Sequence, residues 1–257
     1  GTGYVITVAA QTIATIVDAN FPTGAISVTY QDGYFIVASN TASYGQFHLS
    51  ALNDPMDWTP LTFASAEYSG DVILQAKSMG SSLYLFGPRS IEVWYNTGNP
   101  DFPFERINGS TMNTGMRGPA LLATFGDSMF FLGSNIEGTG AFYQLSGGLK
   151  RISTPYIEAL IASFTSQIGA YSNCWHHDGH LFFETTFPAD SRSVVYDVTQ
   201  GTWSEASSTI SSSPSYHRVR SIVNRSLAVP TLSFPAFAFD AIDGKVIRLG
   251  TKSLLSA

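Results

Sequence analysis

Charge is what this chain has least of. Lysine, arginine, aspartate and glutamate together make up 12% of its 257 residues, against about 25% in an ordinary soluble domain. Acids outnumber bases 19 to 13, for a formal net charge of -6, which excludes a protein whose main work is to grip phosphate backbone. The densest basic group, Arg218, Arg220 and Arg225, reads as a solvated strand edge. Cysteine is nearly missing too: Cys174 stands alone, so an internal disulfide, and with it a secreted disulfide scaffold, is ruled out. No apolar run approaches the roughly 20 residues of a membrane-spanning helix. There is no Walker sequence, dinucleotide fingerprint or G-x-S-x-G elbow, so the common nucleotide and acyl-transfer motifs are absent. The opening "GTGYVITV" has neither an initiator Met nor a basic n-region and reads as the middle of a longer chain.

What the sequence does have is a repeat. A short strand, a brief turn and a second strand recur six times, starting at Tyr4, Gln46, Ile91, Ala141, Val194 and Phe237, with spacings of 42, 45, 50, 53 and 43 residues. Between successive copies lies another strand pair: "AISVTYQDGYFIVAS", "VILQAKSMGSSLYLFG", "ALLATFGDSMFFLGS", "AYSNCWHHDGHLFFET" and, less regularly, "HRVRSIVNRSLAVPT". Four of the five turn on a glycine, Gly33, Gly80, Gly126 and Gly179. The dipeptides Asp32-Gly33 and Asp178-Gly179 suit a type I′ hairpin, in which both central residues need positive φ. The second strands, such as "YFIVAS" and "MFFLGS", are apolar on both faces, as strands covered on both sides should be.

Four antiparallel strands per 42 to 53 residues is the period of a propeller blade. The fold class expected is therefore all-β, a β-propeller of the six-bladed type. It comprises a half blade over 1–20 and five full four-stranded blades at 24–63, 71–109, 118–154, 169–207 and 216–250, all in one domain over 1–257. A half blade leaves a sheet edge open, and its missing strands are expected upstream of Gly1. One segment breaks the repeat. In "STPYIEALIASF", Ile157, Leu160, Ile161 and Phe164 fall at i, i+3, i+4 and i+7, with Pro155 placed for a first turn, so a short inserted helix is predicted near 154–164. It is either a connector packed on the propeller flank or a docking helix for a partner.

The chain comes closest to an active site at "NCWHHDGHLFFETTF", residues 173 to 187. With Asp178-Gly179 as the turn, the cross-strand pairs predicted are His177 with His180, His176 with Leu181, Trp175 with Phe182, and Cys174 with Phe183. Alternation puts His177, His180 and Trp175 on one face, with Glu184 on that face but about 13 Å along. A zinc site wants three or four ligands, whereas this hairpin offers two, His177 and His180. A polar hairpin tip is the expectation, and no cofactor is expected. A propeller glycoside hydrolase or carbohydrate-binding module is the alternative reading. It would need paired carboxylates, and the acids show no favoured pair; "YDVTQGTW" spaces Asp197 and Gly201 too widely for an Asp-box. A kelch repeat would need more than the single doublet Gly147-Gly148.

The stretch "LYLFGPRSIEVWYNTGNPDFPFERI", residues 83 to 107, with Glu92-Val93-Trp94-Tyr95 at its centre, resembles the packaged-DNA stabilisation family of short-tailed phages, their head-completion or tail-accessory proteins. "FPTGAISVTYQDGYFIVAS", "ALNDPMDWTPLTFASAE" and "LKRIST" support the resemblance, which spans roughly 20 to 205 and fades beyond Ser207. It implies a non-enzymatic tail component of the virion, assembled in the host bacterial cytoplasm. Such a protein would form a ring below the portal and its adaptor, meet the tail needle and sit near the tailspikes. It would help close the channel on packaged DNA, with at most non-specific DNA contact and no membrane. No catalytic residue is implied. A low-charge, mildly acidic wall suits that place, because a basic one would hold the genome by counterion release at each contact. Candidate interface residues are Pro100, Phe102 and Phe104 in a Pro- and aromatic-rich loop, and Ile157, Leu160 and Phe164 on the helix.

Overall fold

The structure is a computed structural model and describes residues 2–40, 45–66, 70, 72–134, 140–210, 213–224 and 236–249. It divides into two compact units, one of residues 1–119 and 133–138, the other of 120–132 and 139–257.

The first unit opens with a two-stranded hairpin, β1 (Tyr4–Thr7) and β2 (Thr12–Thr15). Two four-stranded sheets follow. One is β3 (Ala25–Gln31), β4 (Tyr34–Ser39), β5 (Gln46–Ala51) and β6 (Asp54–Ser65); the other is β7 (Gln75–Met79), β8 (Ser82–Phe86), β9 (Ile91–Asn96) and β10 (Phe104–Arg106). The second unit holds a four-stranded sheet, β11 (Leu122–Phe125), β12 (Ser128–Ser134), β13 (Gly140–Leu145) and β14 (Leu149–Arg151). Next comes a five-stranded sheet of β15 (Tyr171–His177), β16 (His180–Phe187), β17 (Arg192–Asp197), β18 (Thr202–Ile210) and β19 (Ser213–Tyr216). The last sheet is β20 (Val219–Asn224), β21 (Ala236–Asp240) and β22 (Val246–Leu249). In every sheet the strands follow chain order, because tight turns can join only antiparallel neighbours.

The turns explain that order. Asp32 and Gly33 take φ of 50° and 88°, and Asp178 and Gly179 take 49° and 82°, the left-handed pair that matches the twist of a two-residue hairpin. The second and third strands of the four- and five-stranded sheets are then the most deeply covered, and the middle of β12, Met129 to Gly133, is buried without a break. Within each unit, neighbouring sheets meet through their first strands. Ser27 Oγ of β3 accepts from the Ala76 main-chain nitrogen of β7 at 2.9 Å, and Thr29 Oγ1 accepts from that of Ser78 at 3.0 Å. Short hydroxyl side chains thus satisfy the free edge of the next sheet, which is a physical reason for a chain rich in Ser and Thr.

Two departures from the repeat have local causes. β18 outruns β17: Thr202 to Ala206 pair with β17, and Ser207 to Ile210 fold back on β19. That hairpin adds a fifth strand where four were expected. In the last sheet three strands are described instead of four, because β20 pairs directly with β21. The second strand expected there falls within 225–235, outside the described residues.

The helix forms as α1 (Pro155–Ala162), two residues shorter at its C-terminal end than the apolar stripe suggested. Thr154 caps it, its side chain accepting from the Ile157 main-chain nitrogen, and Pro155 supplies a first-turn residue with no N–H to satisfy. Ile157 and Ile161 are buried, and Leu160 and Phe164 pack on the same cluster, which also contains Phe142, Phe183 and Phe187. The stripe thus packs on the unit's own core, with Leu160 and Phe164 partly buried, and Tyr156 is the large side chain the helix exposes. The first unit has its own cluster around Ile36, Phe47, Leu49, Leu83 and Trp94.

Candidate functional site

The histidine hairpin has the predicted register, with His177 opposite His180 and Cys174 opposite Phe183. Its polar groups are engaged separately. His180 Nδ1 lies 2.7 Å from Asp197 Oδ2 in β17, and His177 Nε2 lies 3.3 Å from Asp178 in the turn. His180 also stacks on Phe182, and burial pushes the Cys174 thiol far above its ordinary value. Among the described residues no group of three or more His, Cys, Asp and Glu side chains could share a metal ion.

Sequence reasoning missed the most deeply buried charge in this region. Glu184 is 0% exposed and meets His217 Nδ1 at 2.9 Å, through the turn that leads into β20. The partners are 33 residues apart, and no local spacing could pair them. Burial acts to lower the His217 pKa, but the charge and hydrogen bond of Glu184 outweigh it, and the net shift is upward. Ser193 is adjacent, yet its Oγ accepts from the main-chain nitrogen of His217 at 3.0 Å and bonds Thr186 Oγ1 at 2.8 Å. An activated serine needs the imidazole itself, so this Ser-His-Glu grouping is not built as a nucleophile.

The aromatic loop of the first unit, between β9 and β10, is turned onto the neighbouring sheet β3–β6. Phe104 is buried against Tyr34, with ring centroids 6.1 Å apart, and Phe102 packs on Phe47 at 5.8 Å. Of the three loop candidates Pro100 is exposed, Phe102 is partly buried and Phe104 is buried. Within Glu92-Val93-Trp94-Tyr95, the indole nitrogen of Trp94 donates to the Glu92 carboxylate at 3.0 Å, both residues being buried. That motif is therefore a core hydrogen bond in β9.

The first unit does carry an apolar surface that sequence reasoning did not single out. β3 presents Ile26, Val28 and Tyr30 to solvent, while its alternate residues Ser27 and Thr29 face β7. An ordinary surface strand does the reverse. Beside it the β1–β2 hairpin exposes Tyr4, Ile6 and Ile13, and Val28 and Ile6 are 63% and 66% exposed. Between hairpin and sheet lies an open cavity of about 520 Å³, lined by Ile6, Ile26, Val28, Phe35 and Trp58 among others and by no charged residue. The connector between them is tied down at the cavity wall: Asp18 accepts from the Trp58 main-chain nitrogen at 3.0 Å, and Phe21, which also lines the cavity, meets the Trp58 ring edge-on at 5.2 Å.

Two comparisons bear on this chain. The family model described as "Bacteriophage P22 Gp10, beta-propeller" matches residues 1–229, reaching beyond the span of the resemblance at both ends. No curated protein sequence matches the chain.

Proposed function

We propose a role that proceeds from one fact: the chain belongs to the phage-stabilisation family of β-propellers described for bacteriophage P22 Gp10, a family of structural phage proteins. The role is that of a ring-forming connector component of the phage tail. It sits below the portal and its adaptor, contacts the tail needle and tailspike proteins, and helps retain packaged DNA, after assembly in the bacterial cytoplasm. The observation that carries this reading is the uncharged surface of β3 and the β1–β2 hairpin. Contiguous exposed apolar patches of this kind mark interaction sites, and an assembly protein uses them where an enzyme would need converging polar groups.

The test is mass measurement of the full-length protein with and without the purified portal–adaptor ring. A stoichiometric complex supports the role. A full-length protein that stays separate from the ring at micromolar concentration removes it.

A further inference from the structure

The second unit contains a charge pair whose position gives it leverage over one sheet. Glu184 lies in the middle of β16, on the face shared by Tyr171, Trp175 and Phe182. That face is covered by β20 and β21, through the cluster of Trp175, Val195, Val219 and Ala238. His217, whose side chain is 11% exposed, reaches Glu184 from the two residues that precede β20. Its main-chain nitrogen is tied to Ser193 of β17 at 3.0 Å. The next main-chain nitrogen, that of Arg218, donates to Ser208 of β18 at 3.3 Å, so the sheet β20–β22 begins at a point fixed to its neighbour by one ion pair and two main-chain hydrogen bonds.

The other charged groups nearby are already committed. Arg218, next in the chain, pairs with Asp240 at 2.7 Å and Asp243 at 3.4 Å, inside the last sheet itself. Arg220 of β20 lies over the Tyr171 ring of β15 at 4.2 Å. Tyr171 and Tyr216 also face this region, and burial holds the Tyr171 phenol neutral up to about 12. Against a fully buried carboxylate, His217 is thus the group whose charge changes near neutral pH. When the imidazole loses its proton, Glu184 is left as a buried charge without its counter-ion, which is a large penalty.

We propose that the Glu184–His217 pair is a protonation-controlled latch for the last sheet: with His217 charged, β20–β22 is held on β15–β17, and with His217 neutral the sheet opens while the rest of the unit stays folded. The direction follows from linkage. His217 binds its proton more tightly when latched than when open, so the latch is at full strength below the ordinary histidine value near 6.5. It weakens as pH rises from there through the raised value of the latched state, and is lost above it.

Hydrogen exchange on the full chain, corrected for the intrinsic pH dependence of amide exchange, tests this. Opening of amides in β20–β22 should increase about tenfold per pH unit in that window, while amides of β12 and β13 show no such change. Glu184→Gln should flatten the profile, because a neutral partner no longer favours the imidazolium. The double change Glu184→Gln with His217→Gln should be flat as well, with no buried charge left to unfold the chain. Should both variants fail to fold, the His217 ring resonances of the unmodified protein decide: a titration midpoint above 6.5 supports the latch, and one at or below it overturns the proposal. A flat wild-type profile, or a slope that persists in Glu184→Gln, also overturns it.

Discussion

Gly45 lies so close to Ile73 that a Cβ on the glycine would fall inside the contact distance of the Ile73 main-chain nitrogen. The contact joins the residue before β5 to the segment that enters β7, and two hydrogen bonds hold it in place. The Gly45 carbonyl accepts from the Ala66 main-chain nitrogen at 3.0 Å, and the Asn40 amide donates to the Ile73 carbonyl at 2.8 Å. Main chain cannot escape a methyl group by changing rotamer, so Gly45→Ala must push two sheets apart or break those bonds. The expected cost is about 1–3 kcal/mol. Gly148, which has open space around it, is the control, and Gly148→Ala should stay within about 0.5 kcal/mol. Urea denaturation of the two variants measures the difference.

The aromatic loop separates folding from recognition in the same way. Phe104 is 3% exposed within the first unit's core, so Phe104→Ala should destabilise by about 3–5 kcal/mol. Pro100 is exposed, and Pro100→Ala should leave the denaturation midpoint almost unchanged. A Phe104→Ala variant with an unaltered midpoint would mean that this ring is not packed as described.

The contrast shows where the sequence was legible. Alternation and Asp-Gly turns specify each hairpin locally, so the pairing of His177 with His180 could be read directly. Doubly apolar strands such as "MFFLGS" announce coverage on both faces, which is why β12 lies where its pattern put it. Whether an exposed-looking aromatic such as Phe102 turns outward or inward is a tertiary matter, decided by Phe47 in a neighbouring sheet. The Glu184–His217 pair was invisible for the same reason: one partner is in a strand and the other in a turn of the next sheet. The extra strand β19 follows from the length of β18, and no residue in "TWSEASSTI" marks where β17 ceases to cover it.

The histidine hairpin makes a prediction about metal. His177 and His180 contact different carboxylates, Asp178 and Asp197, and no third ligand joins them among the described residues. A chelator should therefore leave the melting temperature unchanged, and added zinc should not raise it. A specific site would add about 2.7 kcal/mol at a hundredfold excess over its Kd, which calorimetry would detect readily.

Acid should weaken the fold through carboxylates that cap main chain. Asp190 accepts from Thr165 and from the Ser166 main-chain nitrogen, and these bonds hold its pKa below the ordinary 3.8. Asp18 is lowered by the main-chain nitrogens of Asn20 and Trp58. A depressed carboxylate contributes stability that is complete above its unfolded value and lost as pH falls through its folded one. Melting temperature should hold near pH 5 to 6 and drop below about pH 4. Asp18→Asn with Asp190→Asn should lower the plateau and flatten the acid limb.

The apolar surface of the first unit gives the sharpest test of the assembly role. β3 turns its aliphatic side chains to solvent and its hydroxyls to β7, so Val28 contributes little to its own unit and can be changed without unfolding it. Val28→Asp and Ile6→Asp should retain the circular dichroism and melting temperature of the parent chain. Each should nevertheless weaken binding to the portal–adaptor ring by at least about tenfold, or 1.4 kcal/mol, since a charge placed in an apolar contact must be desolvated. Ile36, which is fully buried, is the contrast: Ile36→Asp should abolish folding before any binding can be measured. If Val28→Asp and Ile6→Asp fold and bind the ring as tightly as the parent, this face is not where the protein meets it, and the contact must lie on loops such as that around Pro100.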